Sequence, residues 1–203
     1  MNFDRWTALM RAVDLPDSKA TFEALDAAYR EPHRHYHTTR HIADCLEKFD
    51  VLRGAAERPG AIELALWFHD AVYEPYRSGN EEKSAEWAAK FLRDAGACDA
   101  LVARVRDLVL ATRHDAIASD GDTAIMVDVD LSILGANRDR YDAFELKVRA
   151  EYRWVPRPLY RRERRKILES FLRRQRIFGT DEFFHRYESA ARENLARAIG
   201  NLS

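Results

Sequence analysis

Cysteine is nearly absent from this chain of 203 residues, which has only two. Cys45 and Cys98 stand far apart without Cys-x-x-Cys spacing, so they read as small core residues in a reducing compartment and not as a disulfide. Glycine and proline are scarce too, at eight and six. No sustained period-two alternation of β-branched residues occurs, which argues against a sheet-based fold. Charge of one sign is not in excess: 33 Lys and Arg face 34 Asp and Glu, which removes the electrostatic footprint of a nucleic-acid or membrane-surface binder. No apolar run approaches the roughly 20 residues that span a bilayer. The opening Met1-Asn2-Phe3-Asp4-Arg5-Trp6 lacks a signal-peptide pattern, so a cytoplasmic protein is expected. What remains is a soluble globular composition, 46% hydrophobic and 33% charged, long enough for one well-buried domain over residues 1–203.

Helical spacing recurs along the whole chain. A first helix is expected near 3–13, and Ser18 can cap a second to about Tyr29. A polar loop follows, and Thr38 or Thr39 can cap a third helix through about Ala56. Pro59 pre-sets the start of a fourth, which carries the apolar run Ile62-Glu63-Leu64-Ala65-Leu66-Trp67-Phe68. Asn80 is read as the cap of a helix from Glu81 to about Ala95, with Gly96 after its end. Further helices are expected from Asp99 to Arg113, through Ala124–Leu134, from Asn137 to Tyr152, from Leu159 to Phe178, and from Asp181 to Ile199, with a loop from His114 to Gly121. Without repeats, linkers or composition shifts, the reading is a single all-α domain.

The chemistry concentrates in His69-Asp70, which ends the most apolar segment. An imidazole and a carboxylate are costly to bury unpaired, and a divalent cation satisfies both. Two further clusters can complete a site: Tyr36-His37-Thr38-Thr39-Arg40-His41 upstream and Asp128-Val129-Asp130-Leu131-Ser132 downstream. His37 and His41 are four residues apart, so on one helical turn both imidazoles face the same way. One can bind metal while the other stays free as a proton donor. Mixed ligands with open positions suit a catalytic metal that polarises a phosphoryl oxygen.

These segments, with Trp67-Phe68-His69-Asp70-Ala71-Val72-Tyr73, Asn80-Glu81-Glu82-Lys83-Ser84-Ala85, Arg149-Ala150-Glu151-Tyr152 and Ala191-Arg192-Glu193-Asn194-Leu195, resemble the HD-domain superfamily of metal-dependent phosphohydrolases. The likeness is to a bacterial branch and runs over nearly the whole chain. It implies a helical HD bundle with His41, His69, Asp70 and Asp130 as metal ligands, Asp128 being the competing choice for the last. The metal would be Mn, Mg, Fe, Co, Ni or Zn, which different members accept. By similarity to cyclic-nucleotide phosphodiesterases of the same superfamily, His37 would be the general acid. Glu82, ahead of Glu81, would orient a ligand or the attacking water, and Arg40, Lys83 and Arg149 would contact substrate phosphate. His114 sits where two-metal members carry extra histidines, or is a helix C-terminal histidine stabilised by the dipole.

The expected activity is hydrolysis of a phosphoester in a small, nucleotide-like molecule. The alternatives are a non-catalytic nucleotide or metal sensor on the same fold and a di-iron oxygenase. The basic stretch from Arg157 to Arg176 reads as a wet helix face, opposite a buried stripe of Tyr160, Ile167, Leu168, Phe171 and Phe178. No nucleic-acid or membrane partner is expected. The oligomeric state stays open, a homodimer being one arrangement.

Overall fold

Among the described residues, 1–114 and 120–202 of a computed structural model, the chain forms ten α-helices and no strand. The first two are α1 (Phe3–Ala12) and α2 (Lys19–Ala28), capped by the side chains of Asn2 and Ser18. Thr38 caps α3 (Thr39–Leu52), and Pro59 occupies the first turn of α4 (Pro59–Phe68). Then come α5 (Asn80–Asp94), α6 (Asp99–Ala111) and α7 (Gly121–Leu131), the last running into a 3-10 turn at Ser132–Gly135. The chain ends with α8 (Arg138–Glu151), α9 (Arg157–Leu172) and α10 (Asp181–Asn201). Residues 115–119 of the expected loop after His114 lie outside the described residues. No helix is long and apolar enough to cross a membrane, among the described residues.

α4 is the hub. Every residue from Ala61 to Phe68 is buried, as expected of a helix that is apolar all round, and α1, α3, α5, α6 and α7 pack against it. Its large side chains contribute about 1.5–3 kcal/mol each on leaving water. Trp67 packs edge-on to Trp6 of α1, 5.5 Å between ring centroids, and the buried hydrophobic residues form one continuous core. Glu63 is the one charge on this helix. Its carboxylate accepts from Arg5 Nε at 2.7 Å and from Arg53 Nη2, so the buried anion is paired on both oxygens.

Three expectations are corrected by tertiary contacts. Gly79, at φ +81°, and not Asn80, precedes α5; Asn80 instead turns its amide back onto the Glu74 backbone, at 3.1 and 3.2 Å. α9 stops at Leu172 rather than reaching Phe178. Beyond it, side chains from elsewhere take the backbone groups that a helix would have used. Arg192 donates to the carbonyls of Leu172, Arg174 and Gln175, and Glu188 accepts from Ile177 N and Phe178 N. Ile167, expected in the buried stripe, is 47% exposed, whereas Leu168, Phe171 and Phe178 are buried.

The turn after α7 meets α10 at backbone distance. A Cβ added to Gly135 would stand 2.4 Å from Tyr187 Cβ and 2.8 Å from its carbonyl oxygen. Gly135→Ala should therefore destabilise the protein by about 1–3 kcal/mol or more. Thermal unfolding by circular dichroism measures it, and an unchanged melt would show that the contact is not tight.

Candidate metal centre

His69 stands at the C-terminal cap of α4 and is 1% exposed. Its Nδ1 lies 3.0 Å from the carbonyl oxygen of Leu66. A carbonyl only accepts, so Nδ1 carries the proton and the lone pair of Nε2 faces outward. His41, in the first turn of α3 and 3% exposed, points its Nε2 at the same spot, 3.1 Å from that of His69. Asp70 Oδ2 is 3.1 Å from His69 Nε2 and 3.4 Å from His41 Nε2. Asp130 Oδ1, from the end of α7, is 3.3 Å from His41 Nε2 and 3.6 Å from His69 Nε2. Donors about 2.0–2.3 Å from a common cation stand roughly 3.0–3.6 Å apart in tetrahedral or octahedral geometry. These five separations are those expected of donors that could share one divalent ion.

The protonation preferences say the same. Burial opposes charge on His69, yet Asp70 and Asp130 hold its pKa well above the ordinary value. Burial likewise opposes ionisation of Asp130, but His114, His41 and His69 hold it well below the usual carboxylate range.

Cys45 enters the cluster as a surprise, since the candidate ligand atoms of His41, Cys45, His69 and Asp130 all lie within 4.8 Å of one another. Its Sγ is 3.7 Å from both ring nitrogens of His41, so it stands beside the ring and not ahead of Nε2. A cation placed ~2 Å out along that lone pair would be roughly 4 Å or more from the sulfur. Asp70 is the better-placed donor.

The two candidate aspartates on α7 are separated by what they touch. Asp128 is fully buried and accepts from Gly179 N, Thr180 N and Thr180 Oγ1 at 2.7, 2.7 and 2.6 Å, pinning the entry to α10. Asp130 faces the histidines. Its other oxygen, Oδ2, is 2.9 Å from His114 Nε2, so His114, at φ +57°, steadies the carboxylate.

His37 precedes α3 and is not part of its first turn, a correction to the shared-turn expectation. It is oriented instead by Glu151, the last residue of α8. Glu151 Oε1 accepts from the backbone N–H groups of His35, Tyr36 and His37, at 2.8, 2.7 and 3.0 Å. Its Oε2 takes His37 Nδ1 at 2.8 Å and the Tyr73 hydroxyl at 2.9 Å. Burial would raise the Glu151 pKa, but these donors bring it down to about 2. Arg34, 5% exposed, anchors the same loop to the doublet, donating to the carbonyls of Asp70 at 2.7 Å and Ala71 at 3.0 Å. Neither residue is among the candidates that the sequence singles out, although Glu151 lies in one of the segments that carry the resemblance. The available sign for Glu151 was an acid in the last turn of a helix, where the dipole favours a base.

His37, Asp70, His114 and Asp130 line a cavity of about 500 Å³. Its walls include Tyr73, Phe144 and Tyr152, and Trp154, Leu159 and Ile167 stand at 57%, 43% and 47% exposure among its lining. Four expected contacts are not among its lining residues. Glu82 pairs with Arg113 at 2.7 Å, and its neighbour Glu81 faces the cavity. Lys83 pairs with Glu74 at 2.6 Å, and Arg40 is exposed, 3.7 Å from Asp44. Arg149 spends its guanidinium on the carbonyls of Tyr152 and Val155. No protein-family model, curated protein or solved structure matches this chain, so its chemistry is read from the centre itself.

Two outcomes follow. Asp130→Asn should lose divalent-metal binding, whereas Asp128→Asn should keep it and lower stability by about 1–3 kcal/mol; titration calorimetry and thermal melts separate the two. For Glu151, a folded pKa of about 2 against roughly 4.3 unfolded means stability present above pH 4.3 and lost as pH falls toward 2. Glu151→Gln should remove on the order of 3 kcal/mol at neutral pH, and its deficit against wild type should shrink below pH 4 in denaturant titrations. A deficit constant with pH would show that the carboxylate is not so stabilised.

Proposed function

We propose that this chain is a metal-dependent phosphohydrolase of the HD type, acting on a small phosphoester. The carrying observation is the convergence of His41, His69, Asp70 and Asp130 on one point at the wall of a cavity, with His37 held beside it and outside the ligand set. A divalent cation bound there would polarise a phosphoryl oxygen and lower the pKa of a water. Two imidazole nitrogens beside two carboxylates favour Mn, Fe, Co, Ni or Zn over the oxygen-loving Mg.

The chain's own residues supply the rest. Glu151 accepts the Nδ1 proton of His37, which sets the tautomer and leaves Nε2 to exchange a proton with the cavity. From Nε2, His37 would deliver a proton to a leaving oxygen in the cavity. The Tyr73 ring lies against His37 at a tilt of 31°, 4.2 Å between ring centroids, and restricts rotation of the imidazole. The aromatic walls and the apolar Trp154, Leu159 and Ile167 suit a planar organic group such as a nucleobase. A volume of about 500 Å³ accommodates a small molecule, not a nucleic-acid strand.

The test is a screen of metal-reconstituted protein against nucleotide and aryl phosphoesters, with elemental analysis. His37→Ala should lower turnover about 10²–10⁴-fold with metal content intact, and His69→Ala should lose both. Equal turnover by His37→Ala on an ester with a poor leaving group would remove His37 from the mechanism. Metal binding without turnover on any ester would reduce the centre to a binding site.

A further inference from the structure

A second cavity, of about 260 Å³, also reaches the centre. Asp130 is the one residue that it shares with the aromatic cavity. Tyr36, which lines it, stands against His37, His41 and Phe144, with ring centroids 5.0, 4.8 and 4.6 Å away. His41, Asp44, Cys45 and Lys48 lie along it at helical spacing on α3.

The charge around it differs from that of the aromatic cavity. Three cations line it: Lys48, Arg140 and Arg186. Arg140 is held by Asp44 at 2.6 Å. Lys48 and Arg186 have no carboxylate partner among the described residues; each instead lies over the Tyr187 ring, at 5.4 and 5.6 Å from its centroid. In the aromatic cavity the one Arg or Lys side chain is Arg164, and Glu145 holds it at 2.6 Å. The aromatic cavity therefore has an organic-binding wall but no unspent cation, and the second cavity has two.

We propose that the second cavity is an oxyanion subsite in which Lys48 and Arg186 hold a phosphate group beside the metal centre. This deepens the phosphohydrolase reading and rests on it for its role: phosphate oxygens on one side of the centre, the organic group on the other. An ammonium and a guanidinium group lining one space are suited to a tetrahedral oxyanion, and the carboxylates of Asp44 and Asp130 in the same lining keep it on the Lys48 and Arg186 side.

Inorganic phosphate is the probe, with binding to the full chain measured by titration calorimetry on metal-free and metal-loaded protein. Wild type should bind phosphate in both states, more weakly as ionic strength rises. Lys48→Ala/Arg186→Ala should weaken binding roughly tenfold or more at unchanged melting temperature, because neither residue is in the core. Lys48→Arg should retain it, and Lys90→Ala, on a remote exposed pair, should not alter it. Absence of phosphate binding by wild type, or equal binding by the double variant, overturns the subsite. If phosphate binding depends on Lys48 and Arg186 but no ester is hydrolysed, the subsite stands and the phosphohydrolase reading falls. If esters are hydrolysed while the double variant keeps its KM and its inhibition by phosphate, the reading stands and the subsite falls.

Discussion

The burial of α4 on every side is the constraint from which the rest of the molecule follows. A helix with no wet face must be surrounded, and α1, α3, α5, α6 and α7 do so. Apart from Glu63, which Arg5 and Arg53 pair, the polar side chains this helix presents stand at its end, where partners can reach them. His69 and Asp70 occupy that end, where the backbone leaves the helix and neighbouring side chains can turn toward a common point. The core therefore fixes the position of two donors to within the tolerance of close packing. α3 and α7, both packed on α4, bring His41 and Asp130 to meet them.

Two buried ions then set the loop that carries His37. Arg34 ties that loop to the carbonyls of the doublet, and Glu151 gathers three successive N–H groups of the loop on one oxygen. Each ion is satisfied by several partners, which is what makes its burial tolerable. The consequence is that a loop outside any helix is held to the doublet and to the end of α8. His37 acquires a defined orientation beside the centre from a residue 114 positions away.

Electrostatics divide the surroundings of the centre in two. The candidate ligands themselves form a compact set of imidazoles and carboxylates that could hold a metal ion. Aromatic and aliphatic groups from α8, α9 and the segment between them make one approach, and cations from α3, α8 and α10 make the other. On the phosphohydrolase reading proposed above, two such approaches would separate an ester's organic part from its oxyanion.

Local pattern was enough to read the all-helical class, because 3.6-residue spacing, capping side chains and the scarcity of glycine and proline are properties of neighbours in the chain. It was also enough to nominate the His69-Asp70 doublet and the ligand-type clusters on either side of it, since such residues beside an apolar run conflict with burial unless something binds them; His41 and Asp130 were singled out by the resemblance. It left Asp128 and Asp130 open, and only the tertiary structure separates them: one caps the backbone entering α10, the other faces the histidines. The end of α9, the turn of Asn80, and the loss of Arg40, Lys83, Glu82 and Arg149 from the cavity share one cause. Long polar side chains choose partners by what folding brings near, and Arg192, Glu188, Glu74, Arg113 and the carbonyls after α8 come from other turns or other helices. Spacing along the chain determined which residues could do chemistry; which of them meet, and through which buried ions they are held, was decided by packing.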